Sequence, residues 1–147
     1  MSLFLLVGPS GGTGGNVTTD DQYDTGFTRV QTVNVSAGDW IDSIQFTIVL
    51  NGLSQPQAHH GGWGGNPQEP IVFENTEYIS AINGTYGDYV NSLSFYVAGG
   101  AGRGFDFGNP AGVPFYYPAP EGWQIYGLNC RSGDYVDAIG VILATQP

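Results

Sequence analysis

The chain has 147 residues, including 24 glycines and 9 prolines, and no apolar pattern at the helical period, which excludes a helical protein and predicts an all-β domain with a buried core. Its formal net charge is -10, with only 3 Lys and Arg residues, which excludes nucleic acid as a partner because phosphate binding needs clustered basic side chains. The same charge disfavours an anionic membrane surface, and no apolar run reaches transmembrane length. Neutral partners, cations and sugars remain open.

The first predicted element is a strand over residues 4–7. The apolar run that contains it lacks a basic flank and is short for a signal peptide, so we expect none; the chain is then cytoplasmic or released by a non-classical route. Cys130 is the only cysteine, so no intramolecular disulfide can form. We predict that Cys130 is a small buried apolar residue.

Further strands are predicted where Val, Ile, Thr, Tyr and Phe dominate between glycines. In the strand over 40–50, alternation places Ile41 on one face and Ile44 on the other. Asn51-Gly52 then predicts a tight hairpin. The other predicted strands cover residues 27–35, 71–73, 78–82, 93–97, 114–117, 125–128 and 138–143. We treat residues 1–147 as a single domain.

One five-residue pattern occurs three times: Gly-Asp, an aromatic residue, Ile or Val, and then Asp or Asn. The copies occupy residues 38–42, 87–91 and 133–137, and they lie 49 and 46 residues apart. Each copy precedes a strand-like run. Repetition at a near-fixed period indicates one supersecondary unit used three times.

A glycine-rich loop interleaves with this turn. Near copies stand at 11–16 and 61–66, and a degraded third stands at 99–104. The first loop has no turn before it and the last turn has no loop after it. A closed ring of three units would bring this unmatched loop and this unmatched turn together, with strand 4–7 pairing with strand 139–143. We therefore predict a three-sided, pseudo-threefold prism of antiparallel sheets.

A glycine loop beside such a turn suits a sugar. Glycine lets the backbone approach a ligand closely and adopt positive φ. The turn offers free backbone N–H donors, while the final carboxylate accepts two hydroxyl groups through charge-assisted hydrogen bonds. We expect the aromatic residue of each copy to face the apolar side of a sugar ring.

Two other interpretations of these repeats remain open. Asp and Gly are common in turns for conformational reasons alone, so the repeats also fit a purely structural β-module. Calcium favours Asp-rich loops, but each unit offers at most two carboxylates. We predict no metal and no cofactor.

An enzyme is not expected. Asp134 and Asp137 resemble a glycosidase pair but lie on one turn, whereas cleavage needs carboxylates on both sides of the bond. His59 and His60 have no spaced third ligand or nucleophile, and we interpret them as a hydrogen-bonded pair at a strand end.

At residues 7–15 and 131–141 the chain resembles the jacalin-related lectins of the mannose-binding type, and the resemblance covers essentially the whole chain. Residues 59–66 and 77–80 resemble members of that family whose three repeats each carry a mannose site. The resemblance implies a β-prism I fold, with three Greek-key four-stranded antiparallel sheets and pseudo-threefold symmetry. It also implies calcium-independent binding of mannose or glucose.

The resemblance assigns site residues by position in the motif. Two sites match the family pattern, and the third departs from it because Asn91 replaces the carboxylate and Arg103 stands where a loop glycine is expected. We therefore expect two strong sites and one weak or silent site. The first site comprises Gly15, Asp134, Tyr135 and Asp137; the second comprises Gly65, Asp39, Trp40 and Asp42; the weak third comprises Gly102, Asp88, Tyr89 and Asn91.

Sugar choice follows from the same resemblance. Galactose-preferring members are cleaved to leave a free N-terminal glycine at the site, whereas Gly15 follows an intact strand, which favours mannose or glucose. The expected partners are glycans or glycoproteins that contain these sugars. Several sites on one rigid prism would give avidity for branched glycans. A homo-oligomer, with an exchanged first strand, is also compatible with the sequence.

Overall fold

The structure is a computed structural model that describes residues 3–147. Within these residues the chain forms fourteen strands and no helix, which confirms the all-β prediction. The strands are β1 (Phe4–Gly11), β2 (Asn16–Thr19), β3 (Phe27–Ala37), β4 (Ile41–Leu50), β5 (Leu53–Pro56), β6 (His60–Gly61), β7 (Asn66–Pro67), β8 (Ile71–Val72), β9 (Tyr78–Tyr86), β10 (Val90–Ala98), β11 (Arg103–Gly108), β12 (Val113–Pro118), β13 (Trp123–Ser132) and β14 (Val136–Thr145).

The strands form three antiparallel sheets with one shared topology. Sheet 1 has the order β2-β13-β14-β1, and sheet 3 has the order β12-β9-β10-β11. In sheet 2 the central pair β3-β4 is flanked by two interrupted outer strands, β7 with β8 on one side and β5 with β6 on the other. Each unit places its fourth strand beside its first, which is the Greek-key arrangement. The predicted prism of three Greek-key sheets is confirmed.

Sheet 1 closes the ring. Its first two strands, β13 and β14, come from the end of the chain and its last two, β1 and β2, from the beginning. The register runs from Phe4 opposite Ala144 to Val7 opposite Val141, as predicted from the loop order. A single backbone pairing between Ile79 and Ile125 joins this sheet to sheet 3.

The three sheets share one apolar core. Fully buried side chains reach it from sheet 2 (Phe46), sheet 3 (Phe95) and sheet 1 (Tyr126). Cys130 is also buried, as predicted, and burial raises the pKa of its thiol well above the usual value. An inert, apolar role for this cysteine follows.

The hairpin at Asn51-Gly52 joins β4 to β5. Both residues have positive φ, 52° and 77°, which is the geometry of a type I′ turn. Asn51 tolerates this region better than most residues with a side chain, and Gly52 tolerates it at no steric cost. The prediction of a tight hairpin is confirmed.

A buried polar contact ties sheet 1 to sheet 2. The carboxylate of Asp20, just after β2, lies 2.8 Å from Nε2 of His60, and its other oxygen accepts the backbone N–H of Leu128 at 3.0 Å. Because the carboxylate accepts, Nε2 of His60 carries the proton. Nδ1 of His60 is buried without a hydrogen-bond partner among the described residues.

An ion pair between Arg103 and Glu77 lies at the edge of sheet 3. Arg103 donates to both oxygens of Glu77, at 2.7 and 3.0 Å, and these hydrogen bonds lower the pKa of the Glu77 carboxyl. Glu77 also accepts the backbone N–H of Glu74. Arg103 therefore has a structural partner.

Candidate functional site

The three repeated turns have one backbone geometry. In each, the N–H of the first glycine donates to the carbonyl of the aromatic residue, at 2.9, 2.9 and 3.0 Å. The three donor–acceptor pairs are Gly38 with Trp40, Gly87 with Tyr89, and Gly133 with Tyr135. The sequence repeat therefore corresponds to a structural repeat.

A β-bulge follows every turn and holds the last residue of the motif. In sheet 2 the register passes from Ala37 opposite Ile41 to Ser36 opposite Ser43, which leaves Asp42 without an opposing residue. The same shift isolates Asn91 and Asp137. A bulge re-aims the extra side chain out of the regular alternation.

This bulge also corrects the predicted faces of β4. Strict alternation separates Ile41 from Ile44, but both are fully buried in the core. Asp42 is the extra residue between them, so the alternation restarts and both isoleucines point inward. A sequence of apolar and polar residues does not reveal where a bulge falls.

The glycine loops close over two of the three bulged residues. The N–H of Gly62 donates to the carbonyl of Asp42 at 3.0 Å, and a Cβ added to Gly65 would lie 2.3 Å from Oδ1 of Asp42. Gly65 has a φ of 76°, a backbone region that residues with a side chain rarely adopt. Only glycine permits this approach, and any larger residue would displace the carboxylate.

The loop near the N-terminus repeats this geometry. The N–H of Gly12 donates to the carbonyl of Asp137 at 2.9 Å, and a Cβ on Gly15 would lie 2.7 Å from Oδ1 of Asp137. Arg131 holds the loop from outside, since its guanidinium donates to the carbonyls of Gly14 and Gly15, each at 3.0 Å. The structure thus brings Gly15 to Asp137 and Gly65 to Asp42.

Gly102 does not lie beside Asn91, which corrects the predicted third set. Strand β10 separates the two, and its 9 residues span roughly 30 Å at 3.3 Å per residue. The segment around Gly102 instead turns from β10 into β11, next to Thr76 and Glu77. Arg103 accordingly belongs to the ion pair with Glu77 and replaces no loop glycine.

The third loop is Gly108–Gly112. Its Asn109 N–H donates to the carbonyl of Asn91 at 2.9 Å, the bond that Gly12 and Gly62 make in the other loops. A Cβ on Gly112 would lie 2.9 Å from Nδ2 of Asn91. The signal that could have located this loop is spacing, because it begins 17 residues after Asn91 and the second loop begins 19 residues after Asp42.

Within this third loop the chemistry differs. Nδ2 of Asn91 donates to the carbonyl of Ala111 at 2.6 Å, so the amide is already engaged. Ala111 stands where the other loops have Gly14 and Gly64, and its methyl group fills space that they leave free. Here the bulged residue is a neutral donor to the loop.

Asp42 and Asp137 are 7% and 6% exposed, respectively. Desolvation raises the pKa of both carboxyls, and the charge of Arg131 partly offsets this for Asp137. In each case the hydrogen bond that stabilises the ionised form comes from the residue's own backbone N–H. Both carboxylates therefore retain capacity to accept hydrogen bonds from a ligand.

The aromatic residues of the three turns pack on one another, which was not predicted. Ring centroids of Trp40, Tyr89 and Tyr135 lie 4.8 to 5.3 Å apart in tilted and edge-on pairs. Trp40 is still 39% exposed, so the cluster forms a surface rather than a core. We name these three rings the apical cluster.

The loops also interlock with the turns of neighbouring repeats. A Cβ on Gly12 would lie 2.1 Å from the carbonyl oxygen of Asp88, and one on Gly62 would lie 2.3 Å from that of Asp134. These two loops are thereby packed between the bulged residue that each covers and the turn of a neighbouring repeat. The candidate sites share one end of the prism and are held rigidly.

Two further observations concern other kinds of site. Among residues 3–147, no group of three or more His, Cys, Asp or Glu side chains is placed to hold a metal ion. The same part of the chain contains no helix long and apolar enough to cross a membrane.

Comparison with known proteins finds relatives that belong to one family. The family profile described as "Jacalin-like lectin domain" matches residues 7–142. Horcolin from Hordeum vulgare subsp. vulgare is 34% identical over 149 residues, which cover 95% of this chain and 97% of horcolin. Jacalin-related lectin 19 from Arabidopsis thaliana is 32% identical, with 97% of this chain and 82% of that protein covered.

Solved structures give the same result. Wild-type Malaysian banana lectin has a TM-score of 0.80 at 36% identity, covering 95% of this chain and 96% of that one. AcmJRL, a mannose-binding jacalin-related lectin from Ananas comosus, has a TM-score of 0.81 at 30% identity, covering 98% of each chain. A mannose-specific jacalin-related lectin from Morus nigra, solved in complex with mannose, has a TM-score of 0.80 at 29% identity, with 95% and 93% covered.

Proposed function

Because this chain belongs to the jacalin-like lectin family, has its β-prism fold and is thus a carbohydrate-binding lectin and not an enzyme, we propose that its ligands are glycans of the mannose and glucose type. Two sites bind them, one built on Asp42 and Gly65 and the other on Asp137 and Gly15. The observation that carries this proposal is the buried carboxylate beneath a glycine loop, present twice with spare acceptor capacity.

Each residue of these sites has a role. The carboxylate of Asp42 or Asp137 accepts two adjacent sugar hydroxyls through charge-assisted hydrogen bonds, which are about twice as strong as neutral ones. Backbone N–H groups of the turn donate hydrogen bonds to oxygen atoms of the sugar. The apical cluster gives an apolar rim on which the C–H face of a sugar can rest.

Mannose-type sugars are favoured over galactose on two grounds. Relatives with the same fold include a mannose-binding lectin from Ananas comosus and a mannose-specific lectin from Morus nigra. In addition, Gly15 is preceded by the continuous strand β1 and its loop, whereas galactose-preferring members carry a free N-terminal glycine at this position.

Isothermal titration tests this proposal with methyl α-mannoside, methyl α-glucoside and methyl α-galactoside, each with calcium and with EDTA. We expect binding of the first two, no dependence on calcium, and little binding of the third. A response to calcium without a response to any sugar would support a calcium-binding module instead. No response to either would leave a purely structural role.

The third repeat is expected to be silent, so the wild type should bind two monosaccharides per chain. Asn91→Asp alone should leave this stoichiometry at two, because its carboxylate would face the carbonyl of Ala111, which Asn91 now approaches to 2.6 Å. A second variant carries Asn91→Asp and also has residues 108–112 replaced by the sequence of residues 61–65. This variant should raise the stoichiometry to three. Titration with methyl α-mannoside gives these numbers, and a third site created by Asn91→Asp alone would contradict the role given to Ala111.

Sugar binding should weaken on acidification, beginning above the ordinary aspartate pKa of about 3.9, because desolvation raises the pKa of Asp42 and Asp137 and only the ionised form accepts two hydroxyls. The contribution of these two carboxyls to folding stability changes with pH in the opposite direction. A folded pKa above the unfolded pKa means that the folded chain binds protons more tightly, so the stabilisation from these two groups falls as pH rises from the unfolded pKa through the folded pKa. Titrations and thermal unfolding across one pH series measure both trends, and affinity that stays constant down to pH about 3.9 would contradict the assignment.

A further inference from the structure

A groove of about 430 Å³ runs along the outer face of sheet 2, beside the loop that covers Asp42. Its volume lies within the range of about 300–1,000 Å³ that is usual for small-molecule sites. Strands β3 and β4 form its floor, and the glycine loop with the β7 region forms its walls. The side chains that define it are Asn34, Ser36, Gln45, His59, Trp63 and Gln68.

Trp63 is exposed yet held in place. Its side chain is 88% exposed, and one ring face stacks on His59 at 3.9 Å with an angle of 8° between the planes. Nε2 of His59 is anchored in turn, 2.8 Å from the carbonyl of Gly62. A large aromatic ring that is ordered but not packed in the core gives a ligand apolar area at low entropic cost.

The rest of the groove offers hydrogen bonds without charge. None of its lining residues is an acid, a Lys or an Arg. The amide nitrogens of Gln45 and Gln68 donate to backbone carbonyls of Gln57 and Asn66, which leaves their amide oxygens as acceptors. Neutral polar groups beside one aromatic plane suit a neutral, hydroxyl-rich ligand rather than an ion.

The groove adjoins the loop that covers Asp42, because Gly62 and Trp63 of that loop line it, and this neighbour distinguishes the Asp42 site from the Asp137 site. Trp63 is in the same loop as Gly65, which contacts the carboxylate of Asp42. The equivalent position of the first loop is Thr13, and there the guanidinium of Arg131 lies against the loop. The two sites therefore share the acceptor but differ in what lies next to it.

We propose that this groove binds the inner residues of a mannose-type oligosaccharide whose terminal residue occupies the Asp42 site, with Trp63 as the stacking platform. The proposal rests on the proposed sugar-binding function. It makes the Asp42 site selective for oligosaccharides, while the Asp137 site recognises terminal sugars alone.

The test isolates each site with an Asp-to-Asn change. An Asp137→Asn background leaves the Asp42 site, and an Asp42→Asn background leaves the other. Protein from bacterial cells is used because Asn34-Val35-Ser36 is a glycosylation sequon on the groove. Titrations with methyl α-mannoside and with a branched mannotriose compare Trp63 with Trp63→Thr, which introduces the residue found in the first loop, and Asn34→Ala removes a groove side chain independently.

In the Asp137→Asn background, we expect Trp63→Thr to lower mannotriose affinity about tenfold and monosaccharide affinity by less than about twofold. Asn34→Ala should act in the same direction, and neither change should matter in the Asp42→Asn background. Equal losses for both sugars, or no loss for mannotriose, would overturn the proposal while leaving the lectin assignment intact. Absence of all methyl α-mannoside binding would refute the proposed function and this proposal with it.

Discussion

The double variant Asp42→Asn/Asp137→Asn is expected to lose measurable binding of methyl α-mannoside. Each change removes a charged acceptor of two hydroxyls, and hydrogen bonds to charged groups contribute about 1.5–3 kcal/mol, so each site should weaken roughly tenfold or more. We expect single-site binding of a monosaccharide to be weak in the wild type, so this loss should take both sites below detection. The single variants should each halve the stoichiometry measured by titration.

Loss of the fold is not expected to explain this result. Asn91 already occupies the equivalent bulge of sheet 3, so the backbone accommodates an amide there. The control is Asp24→Asn/Glu121→Gln, which removes the same two charges at exposed positions away from the loops. Wild-type affinity in the Asp42→Asn/Asp137→Asn protein, with the circular dichroism of both proteins unchanged, would rule out these carboxylates as the acceptors.

The largest effect on stability is expected from Asp20→Ala. It leaves His60, which is fully buried, and the N–H of Leu128 without their acceptor. A buried polar group left without its hydrogen-bond partner costs about 1–3 kcal/mol, and two donors lose their acceptor here, so for a chain of this size the melting temperature should fall by roughly 5–20 °C. Thermal and urea unfolding measure this loss.

Two comparisons separate the pair from a general effect of charge. Asp24→Ala removes an exposed carboxylate nearby and should change stability by less than about 0.5 kcal/mol. Asp20→Ala/His60→Leu should be more stable than Asp20→Ala, because the stranded ring is gone. If Asp20→Ala costs no more than Asp24→Ala, the contact between sheets 1 and 2 does not depend on this pair.

The ring topology could be predicted from sequence because the repeat is redundant. Three turns and two intact glycine loops constrain one another, and the unmatched loop and turn at the two ends require sheet 1 to contain strands from both. The long strands β3, β4 and β14 also have strong apolar patterns. Such features depend on local chemistry that the sequence carries directly.

The short outer strands β2 and β5 were not predictable in the same way. Every residue of β5 (Leu53–Pro56) is exposed, and β2 (Asn16–Thr19) is mostly exposed. Neither has an apolar face that would give alternation. Their strand character comes from pairing with β4 and β13, which is a tertiary property.

The third loop escaped prediction because substitution erased its composition. Asn109, Pro110 and Ala111 stand where glycine dominates the other two loops, while the true glycine cluster at 99–104 is a hairpin turn at the far end of β10. Composition alone favoured the wrong segment. The spacing from the bulged residue, which depends on strand length, is the more reliable guide.

The apical cluster determines in which direction the proposed sites of one copy open, and therefore whether one copy can cross-link two surfaces. Because the ring centroids of Trp40, Tyr89 and Tyr135 lie within 5.3 Å of one another, their three turns meet and both proposed sites open from the same end of the prism. If both proposed sites bind, we expect one copy to bind two arms of a single branched glycan and not to bridge two coated surfaces that face each other. Agglutination of cells or vesicles would require a second copy joined with its apex turned the opposite way.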